Sequence, residues 1–301
     1  VIYNDVTPYP ALGKSLRILE VDPRMLDQIY ETHEVEIPAL LPEGLDLWPN
    51  QAVVLRSHKR SALGLVTPEG DKITRVNEDL SFFKVKGINK EQQGLLNLLH
   101  NPRTRLVVIT GPAGTGKSLV VSAWALHMLL EVKQWSKLML AKPLEITTGT
   151  KYWGTVPGDA GDKFAPFLRS YEMTFENLVG RHGLQYLQAA KGRGAIEFFP
   201  LELMRGVSIR DSIVWYDEVQ NLNAHEMQTL GSRIDDVGET KLIISGDIKQ
   251  RDKRIDIQET GLRKLVMSPA FLKSPLTAHV HLTRIERGEV AQLFHDVFDG
   301  E

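Results

Sequence analysis

Leu106-Val107-Val108-Ile109-Thr110, then Gly111-Pro112-Ala113-Gly114-Thr115-Gly116-Lys117-Ser118, then an apolar run from Leu119 to Leu130, leave this chain few folds to choose from. The first segment is a short, β-branched strand and the second a glycine-rich turn. The third, interrupted only by Ser122, Trp124 and His127, reads as a buried helix. A strand that feeds such a turn and then a helix matches the complete Walker A pattern in its required context. The glycines let successive backbone N–H groups close around phosphate oxygens, and the helix N-terminus adds the positive end of its dipole. Lys117 would bring a point charge to the β and γ phosphates, and the Ser118 hydroxyl would ligate Mg²⁺. Gly111 and Ala113, Gly114, Thr115, Gly116, Lys117, Ser118 and Leu119 are therefore the candidate contacts to the nucleotide. A purely structural turn is the alternative, and the Lys-Ser pair at the required spacing weighs against it.

Around this unit, helical stretches alternate with short apolar runs. Candidate strands are Leu106 to Thr110, Lys137 to Ala141, Ala195 to Phe199, Ser212 to Tyr216, Lys241 to Ser245 and His279 to Leu282. Continuous runs of this kind suit strands buried on both faces and joined by right-handed βαβ crossovers. The expected architecture is α/β, a P-loop NTPase of RecA-like type with a mainly parallel sheet and helices on both faces. Residues 1–85 read differently. Ala52 to Leu55 and Leu63 to Val66 are short apolar runs separated by turn signals, and Lys72 to Val76 would pair with the strand ending at Val66 as a hairpin. Two domains are expected: a small β-rich unit over 1–85 and the nucleotide-binding domain over 86–301.

A second chemical element is Ile213-Val214-Trp215-Tyr216-Asp217-Glu218, an apolar strand that ends in two carboxylates. In a Walker B reading, Asp217 holds Mg²⁺ directly or through water, and Glu218 orients and deprotonates the attacking water. Adjacent acids after a strand also serve as a helix N-terminal charge pair, so coupling to the glycine-rich loop carries the functional reading. The third element, Leu242 to Gln250, runs from a buried strand into the polar tip Ser245-Gly246-Asp247-Ile248-Lys249-Gln250. Ligands of open α/β sheets bind at such carboxyl ends. Gln250 would sense the γ phosphate there, unless the tip is only a turn that caps a helix.

Composition narrows the surroundings. The 301 residues contain no cysteine, which excludes disulfides, thiolate zinc sites and a cysteine nucleophile. No apolar run approaches the roughly 18 residues of a membrane span, and no signal sequence opens the chain, so a cytoplasmic protein is expected. It begins at Val1 rather than Met, which leaves open a fragment or a processed product from which an upstream domain could be missing. The net charge of −2 leaves no global footprint for nucleic acid, and any such contact must be local. The basic clusters at Arg56 to Arg60, Lys191 to Arg193 and Lys249 to Arg254 read as solvated faces. His182, His225 and His279 lack metal-ligand spacing. Trp124, Trp135 and Trp215 read as packing residues, whereas Trp153 beside Lys151 could stack on a base of a single strand.

Taken in order, these elements resemble the PhoH family, P-loop ATPases related to superfamily-one helicases, over roughly residues 85 to 290. The series begins with Asn89-Lys90-Glu91-Gln92, the glycine-rich loop and Lys142-Pro143. It continues with Val156-Pro157-Gly158 and Lys163, Met204-Arg205-Gly206, Tyr216 to Asn221, and Ser245-Gly246-Asp247 with Gln250. The stretch before residue 85 is similar to the linker of longer relatives that carry an N-terminal PIN nuclease domain, which this sequence lacks. The resemblance implies that Gln92 reads the adenine edge, that Gln220 faces the phosphates and that Gln250 couples nucleotide state to a bound strand. Lys142 stands where the family usually has arginine, Val219 replaces the common alanine, and Val207 follows Gly206 in place of arginine.

Phosphoryl transfer calls for a further cation, and Arg233 and Arg287 are the candidates; Arg287 lies in a stretch that resembles the family's last basic motif. Relatives often form hexameric rings, which would favour a finger donated between subunits. Two functions stay open on these grounds. One is an ATP-driven, Mg²⁺-dependent motor on single-stranded RNA or DNA that works as a homo-oligomer, and the other a regulatory or assembly ATPase without a nucleic-acid substrate.

Overall fold

The computed structural model describes residues 1–8, 10–38, 41–143, 160–201, 209–235, 239–250, 260–286 and 297; of residues 160–167 and 250 it describes the backbone alone. The expected nucleic-acid loop around Trp153, the Val156 and Met204 motifs and Arg287 lie outside the described residues.

Residues 2–75 form one six-stranded sheet. Its strands are β1 (Ile2–Asp5), β2 (Arg17–Val21), β3 (Glu34–Glu36), β4 (Ala52–Ser57), β5 (Arg60–Val66) and β6 (Lys72–Arg75), in the order β1-β2-β4-β5-β6-β3. The expected hairpin is present: Val66 stands opposite Ile73 in the antiparallel β5–β6 pair. The helix α1 (Pro23–Thr32) is an element the sequence reading missed. Its signals are local and weak: Asp22 accepts a hydrogen bond from the Arg24 amide, Pro23 occupies the first helical position, and His33 ends the helix at φ 63°. Leu26 and Ile29 of α1 pack with Leu19, Val35, Leu55 and Ile73 beneath the sheet. A two-residue hairpin pair, β7 (Ser81–Phe82) and β8 (Val85–Lys86), leads to α2 (Lys90–His100).

The second sheet is wholly parallel. Its strands are β9 (Leu106–Thr110), β10 (Lys137–Lys142), β11 (Ile196–Pro200), β12 (Ser212–Tyr216), β13 (Lys241–Gly246) and β14 (Thr277–His281), in the order β11-β10-β12-β13-β9-β14. All six expected strands are there, with β14 starting two residues before the expected His279. Every residue of β12 and β13 is buried, which explains their unalternating sequence. Side chains of successive residues still part to opposite faces. Ile213 and Trp215 join a core with α2 residues Leu95 and Leu99, α3 (Lys117–Leu126) residues Val121 and Trp124, and α4 (Ala160–Gly192) residues Tyr171 and Phe175. Val214 and Tyr216 join the opposite core with Met227 of α5 (Ala224–Gly231), Leu262 of α6 (Gly261–Met267) and Phe271 of α7 (Pro269–Lys273). Each such fully buried aliphatic or aromatic side chain contributes about 1.5–3 kcal/mol relative to exposure.

The helix after the glycine-rich loop begins at Lys117, earlier than the apolar run suggests, and continues past Leu126 in a wider π-type turn, His127–Val132. Helix α4 breaks at Gly180, whose φ of 63° with ψ of −178° is a combination open essentially to glycine alone. Among the described residues no helix is long and apolar enough to cross a membrane.

The two sheets are tied by buried polar contacts. Lys14, fully buried, donates from Nζ to the carbonyls of Ser274 (2.9 Å) and Thr277 (2.8 Å) and to the Thr277 hydroxyl (2.8 Å). Asn50 donates to the carbonyls of Pro275 (2.7 Å) and Thr277 (3.1 Å) beside it.

Candidate active site

The site is assembled at the carboxyl edge of the parallel sheet. Register sets its geometry. Thr110 of β9 stands opposite Gly246 of β13, and Tyr216 of β12 opposite Ile244 of β13, so the glycine-rich loop, Asp217 and Asp247 leave the same edge at nearly the same height. Because β13 lies between β9 and β12, the loop's strand and the carboxylate strand stand two strand spacings apart, about 10 Å. A direct neighbour would leave half that room.

The loop departs from β9 through backbone geometry that only glycine allows. Gly111 has φ 141°, and a Cβ there would lie 2.1 Å from the Leu282 carbonyl oxygen; Gly114 and Gly116 both have φ 85°. The Leu282 amide donates to the Thr110 carbonyl (2.8 Å) and the Glu286 amide to the Gly114 carbonyl (3.0 Å), so the chain after β14 runs along the loop. This brings Glu286, the neighbour of Arg287, to the loop. On the other side, Gln92 is 4% exposed and donates from Nε2 to the Thr115 carbonyl (3.1 Å), while its Oε1 accepts from the Ile88 amide (3.1 Å). Lys117 Nζ donates to the Gly111 (2.6 Å) and Pro112 (2.8 Å) carbonyls, which places the ammonium inside the curve of its own loop. Ala113 and Leu119 are exposed, Gly114 and Ser118 half-buried, and Thr115 is buried with its hydroxyl donating to the Pro112 carbonyl (3.0 Å).

Across the gap, Asp217 is 1% exposed and hydrogen-bonded on both oxygens. Oδ1 accepts from the Ser245 hydroxyl (2.5 Å) and the Glu218 amide (3.0 Å), and Oδ2 accepts from the Tyr171 hydroxyl. Burial pushes the Asp217 carboxyl up, the Glu218 charge pushes it further, and the hydrogen bonds from Ser245 and Tyr171 pull it back. Burial likewise raises the Tyr171 phenol, with the Asp217 charge adding to it. Among the described residues, three protein donors meet the four lone-pair positions of the carboxylate, which leaves one on Oδ2.

Glu218 adopts φ 58°, ψ 40°, a left-handed conformation that costs a non-glycine residue about 1–2 kcal/mol. Its Oε2 accepts from Gln220 Nε2 (2.9 Å), a bond to a charged group worth about 1.5–3 kcal/mol, enough to offset the strain. Gln220, 3% exposed, accepts from the Asp247 amide (3.3 Å) with its other end, so it bridges the tips of β12 and β13.

The remaining candidates fall apart from this cluster or at its margin. Arg233 sits in the turn after α5, on the opposite face of the sheet, where its charge lowers the Tyr216 phenol against a larger upward push from burial. The backbone of Gln250 closes a short turn, Ile248–Gln250, beyond β13, and its side chain is outside the described residues. Three participants escaped the sequence reading. Tyr171 has no local signal at all, Ser245 stood in the polar tip that ends the β13 run with no role assigned to it, and His281 was passed over. The His281 ring shares a hydrogen bond with the Thr110 hydroxyl (2.8 Å), and burial lowers its pKa while the charges of Asp247, Lys249 and Lys117 act on it.

The donor set suits a magnesium nucleotide. The glycine-rich loop with its backbone amides, ammonium and hydroxyl stands on one side, and the buried Asp217 carboxylate on the other. Among the described residues no three His, Asp or Glu side chains gather as a metal cluster, so a cation here would take its other ligands from phosphate oxygens and water, the usual habit of Mg²⁺.

A family profile described as PhoH-like protein matches residues 84–299. Protein PhoH2 of Thermobispora bispora is 34% identical over 280 residues, an alignment covering 92% of this chain and 60% of that protein. Protein PhoH2 of Bacillus subtilis is 32% identical over 257 residues, covering 83% of this chain and 57% of the relative. The chain thus spans about 60% of the length of these curated relatives. Among solved structures, the Pif1 helicase from Candida albicans superposes with a TM-score of 0.36 at 18% identity, covering 71% of this chain and 44% of that one, too loose a likeness to carry a role across.

Proposed function

The chain belongs to the PhoH family, and from that premise we propose that it binds ATP with Mg²⁺ at residues 111–119 and hydrolyses it to drive work on single-stranded RNA or DNA. The observation that carries the hydrolase reading is the spacing of two strands, with β13 between them, that separates the glycine-rich loop from the Asp217-Glu218 tip. A triphosphate fits there with its γ phosphate toward Glu218.

Backbone amides from Ala113 to Ser118 would hold the β and γ phosphates, and Lys117, turning from its loop carbonyls, would neutralise them. When bound, Mg²⁺ supplies further neutralisation of these oxygens; the Ser118 hydroxyl and the open lone pair of Asp217 are the groups to hold it. Glu218, aimed by Gln220, takes the proton of the attacking water as its oxygen bonds to the γ phosphorus and the bond to the β–γ bridging oxygen breaks. Charge growing on that oxygen calls for a cation. Arg287 is the favoured candidate within the chain, because its neighbour Glu286 is bonded to Gly114, while Arg233 on the far face suits donation to a neighbouring subunit of a ring. Among the described residues, Gln92 keeps one N–H and one lone pair beyond its two backbone bonds, and these would read the adenine edge beside exposed Ile88 and Leu119. Gln250 would sense the γ phosphate from beyond β13. Residues 1–85 are proposed as a separate small domain and 86–301 as the ATPase domain, a division supported by the start of the family match at residue 84.

Lys117→Ala is expected to abolish tight nucleotide binding, and Glu218→Gln to keep binding while lowering kcat by at least about a hundredfold. A Glu218→Gln protein that turns over ATP at the normal rate would refute the base assignment. The motor reading predicts that single-stranded RNA or DNA raises the steady-state ATPase rate. The net charge of −2 favours the second reading, a regulatory or assembly ATPase; an unchanged rate with both nucleic acids would establish it over the first.

A further inference from the structure

We propose that Tyr171 is a positioning residue of the hydrolytic site, its hydroxyl clamping Oδ2 of Asp217 so that the carboxylate offers a single, fixed lone pair toward the metal. The inference deepens the hydrolase reading and rests on it. Tyr171 comes from α4, 46 residues before its partner, and is 5% exposed. Its ring meets that of Trp215 edge-on, with centroids 5.4 Å apart and planes at 90°, so neither ring can rotate without displacing the other. The indole of Trp215 donates to the Ser245 hydroxyl (2.7 Å), which in turn donates to Oδ1 of Asp217. Two aromatic side chains thus hold both ends of one carboxylate, Tyr171 directly and Trp215 through Ser245.

Without the Tyr171 bond, Asp217 keeps both bonds to Oδ1 but is free to swing Oδ2, and a buried oxygen loses its only protein donor among the described residues. Outer-shell partners of this kind are commonly worth tenfold or more in metal affinity. The helix delivering the hydroxyl is held independently of it, by Phe175 one turn later, which is fully buried in the same core.

The test is Tyr171→Phe, which retains the ring and its packing. The non-hydrolysable analogue AMP-PNP should bind the variant as tightly as the unaltered protein when metal is absent. The Mn²⁺ concentration that half-saturates the AMP-PNP complex, read by electron paramagnetic resonance, should rise by about tenfold. ATP turnover should fall in kcat with KM held. Phe175→Leu should lower the thermal midpoint and leave Mn²⁺ half-saturation unmoved. An unchanged or lower half-saturation in Tyr171→Phe overturns the proposal, as does an equal rise in Phe175→Leu, which would mark general loosening. If the unaltered protein binds AMP-PNP with no response to Mn²⁺, the hydrolase reading itself falls and takes this inference with it; a normal response there with no shift in Tyr171→Phe defeats the clamp alone.

Discussion

Thr110 shows how closely single residues are specified at the edge of the sheet. Its hydroxyl lies 2.8 Å from both His279 Nε2 and His281 Nδ1, and its carbonyl accepts the Leu282 amide, so the last residue of β9 orients β14 just before the loop turns away at Gly111. His279 is fully buried, and burial, with a smaller contribution from His281, holds its pKa down to about 3. The folded state therefore keeps this ring neutral, while the unfolded chain takes up a proton near 6.5. The contribution is complete above that value and is lost as pH falls toward 3. Lowering the pH from 7 to 5 should cost about 2 kcal/mol from His279 alone. Urea unfolding at the two pH values measures it, and His279→Gln should flatten the difference. His281, also lowered by burial, acts in the same direction.

At the scale of elements, function depends on how strands hand over to turns. After β12 the chain makes the strained residue Glu218, the short turn Val219–Asn221 and then α5, whose start carries a complete capping box. Asn223 accepts from the Glu226 amide (3.0 Å) and the Glu226 carboxylate accepts from the Asn223 amide (2.9 Å). The Leu222 carbonyl accepts from the Gly261 amide (2.7 Å), so this cap also seats α6. Asn223→Ala should cost about 1 kcal/mol and lower the thermal midpoint by about 2 °C. The capping signal is local and stands in the sequence as Asn-x-x-Glu, as do the β-branched runs of β9, β12 and β13. Helix α1 was harder to see because its polar, ten-residue sequence lies among short strands and its stability comes from burying Met25, Leu26 and Ile29 under the sheet.

At the scale of the molecule, the N-terminal sheet and the parallel sheet meet at a junction of buried polar contacts. Lys14 spends its three N–H groups on Ser274 and Thr277, at the entry to β14, the strand that carries His279 and His281. Lys14→Met should cost about 3 kcal/mol by leaving these buried acceptors without their donor. Differential scanning calorimetry should show one transition for the unaltered protein and a broadened or split one for Lys14→Met, as the N-terminal sheet loosens first. An unchanged single transition would mean that apolar packing alone holds the junction.

The glycine-rich loop between a strand and a helix, the paired acids after β12, and the buried character of each parallel strand were all legible in the sequence, because each is a pattern within a dozen neighbouring residues whose spacing is set by backbone geometry. The order of the strands was not. The placing of β13 between β9 and β12 pairs it with β9, more than a hundred residues away in the chain, which no local pattern encodes, and it sets the width of the gap in which a triphosphate would lie. Nor could any local pattern pair Tyr171 with Asp217 or Gln92 with Thr115, since those hydrogen bonds join segments 46 and 23 residues apart and exist only once the helices have packed. Local chemistry named the groups, and long-range packing decided which of them meet.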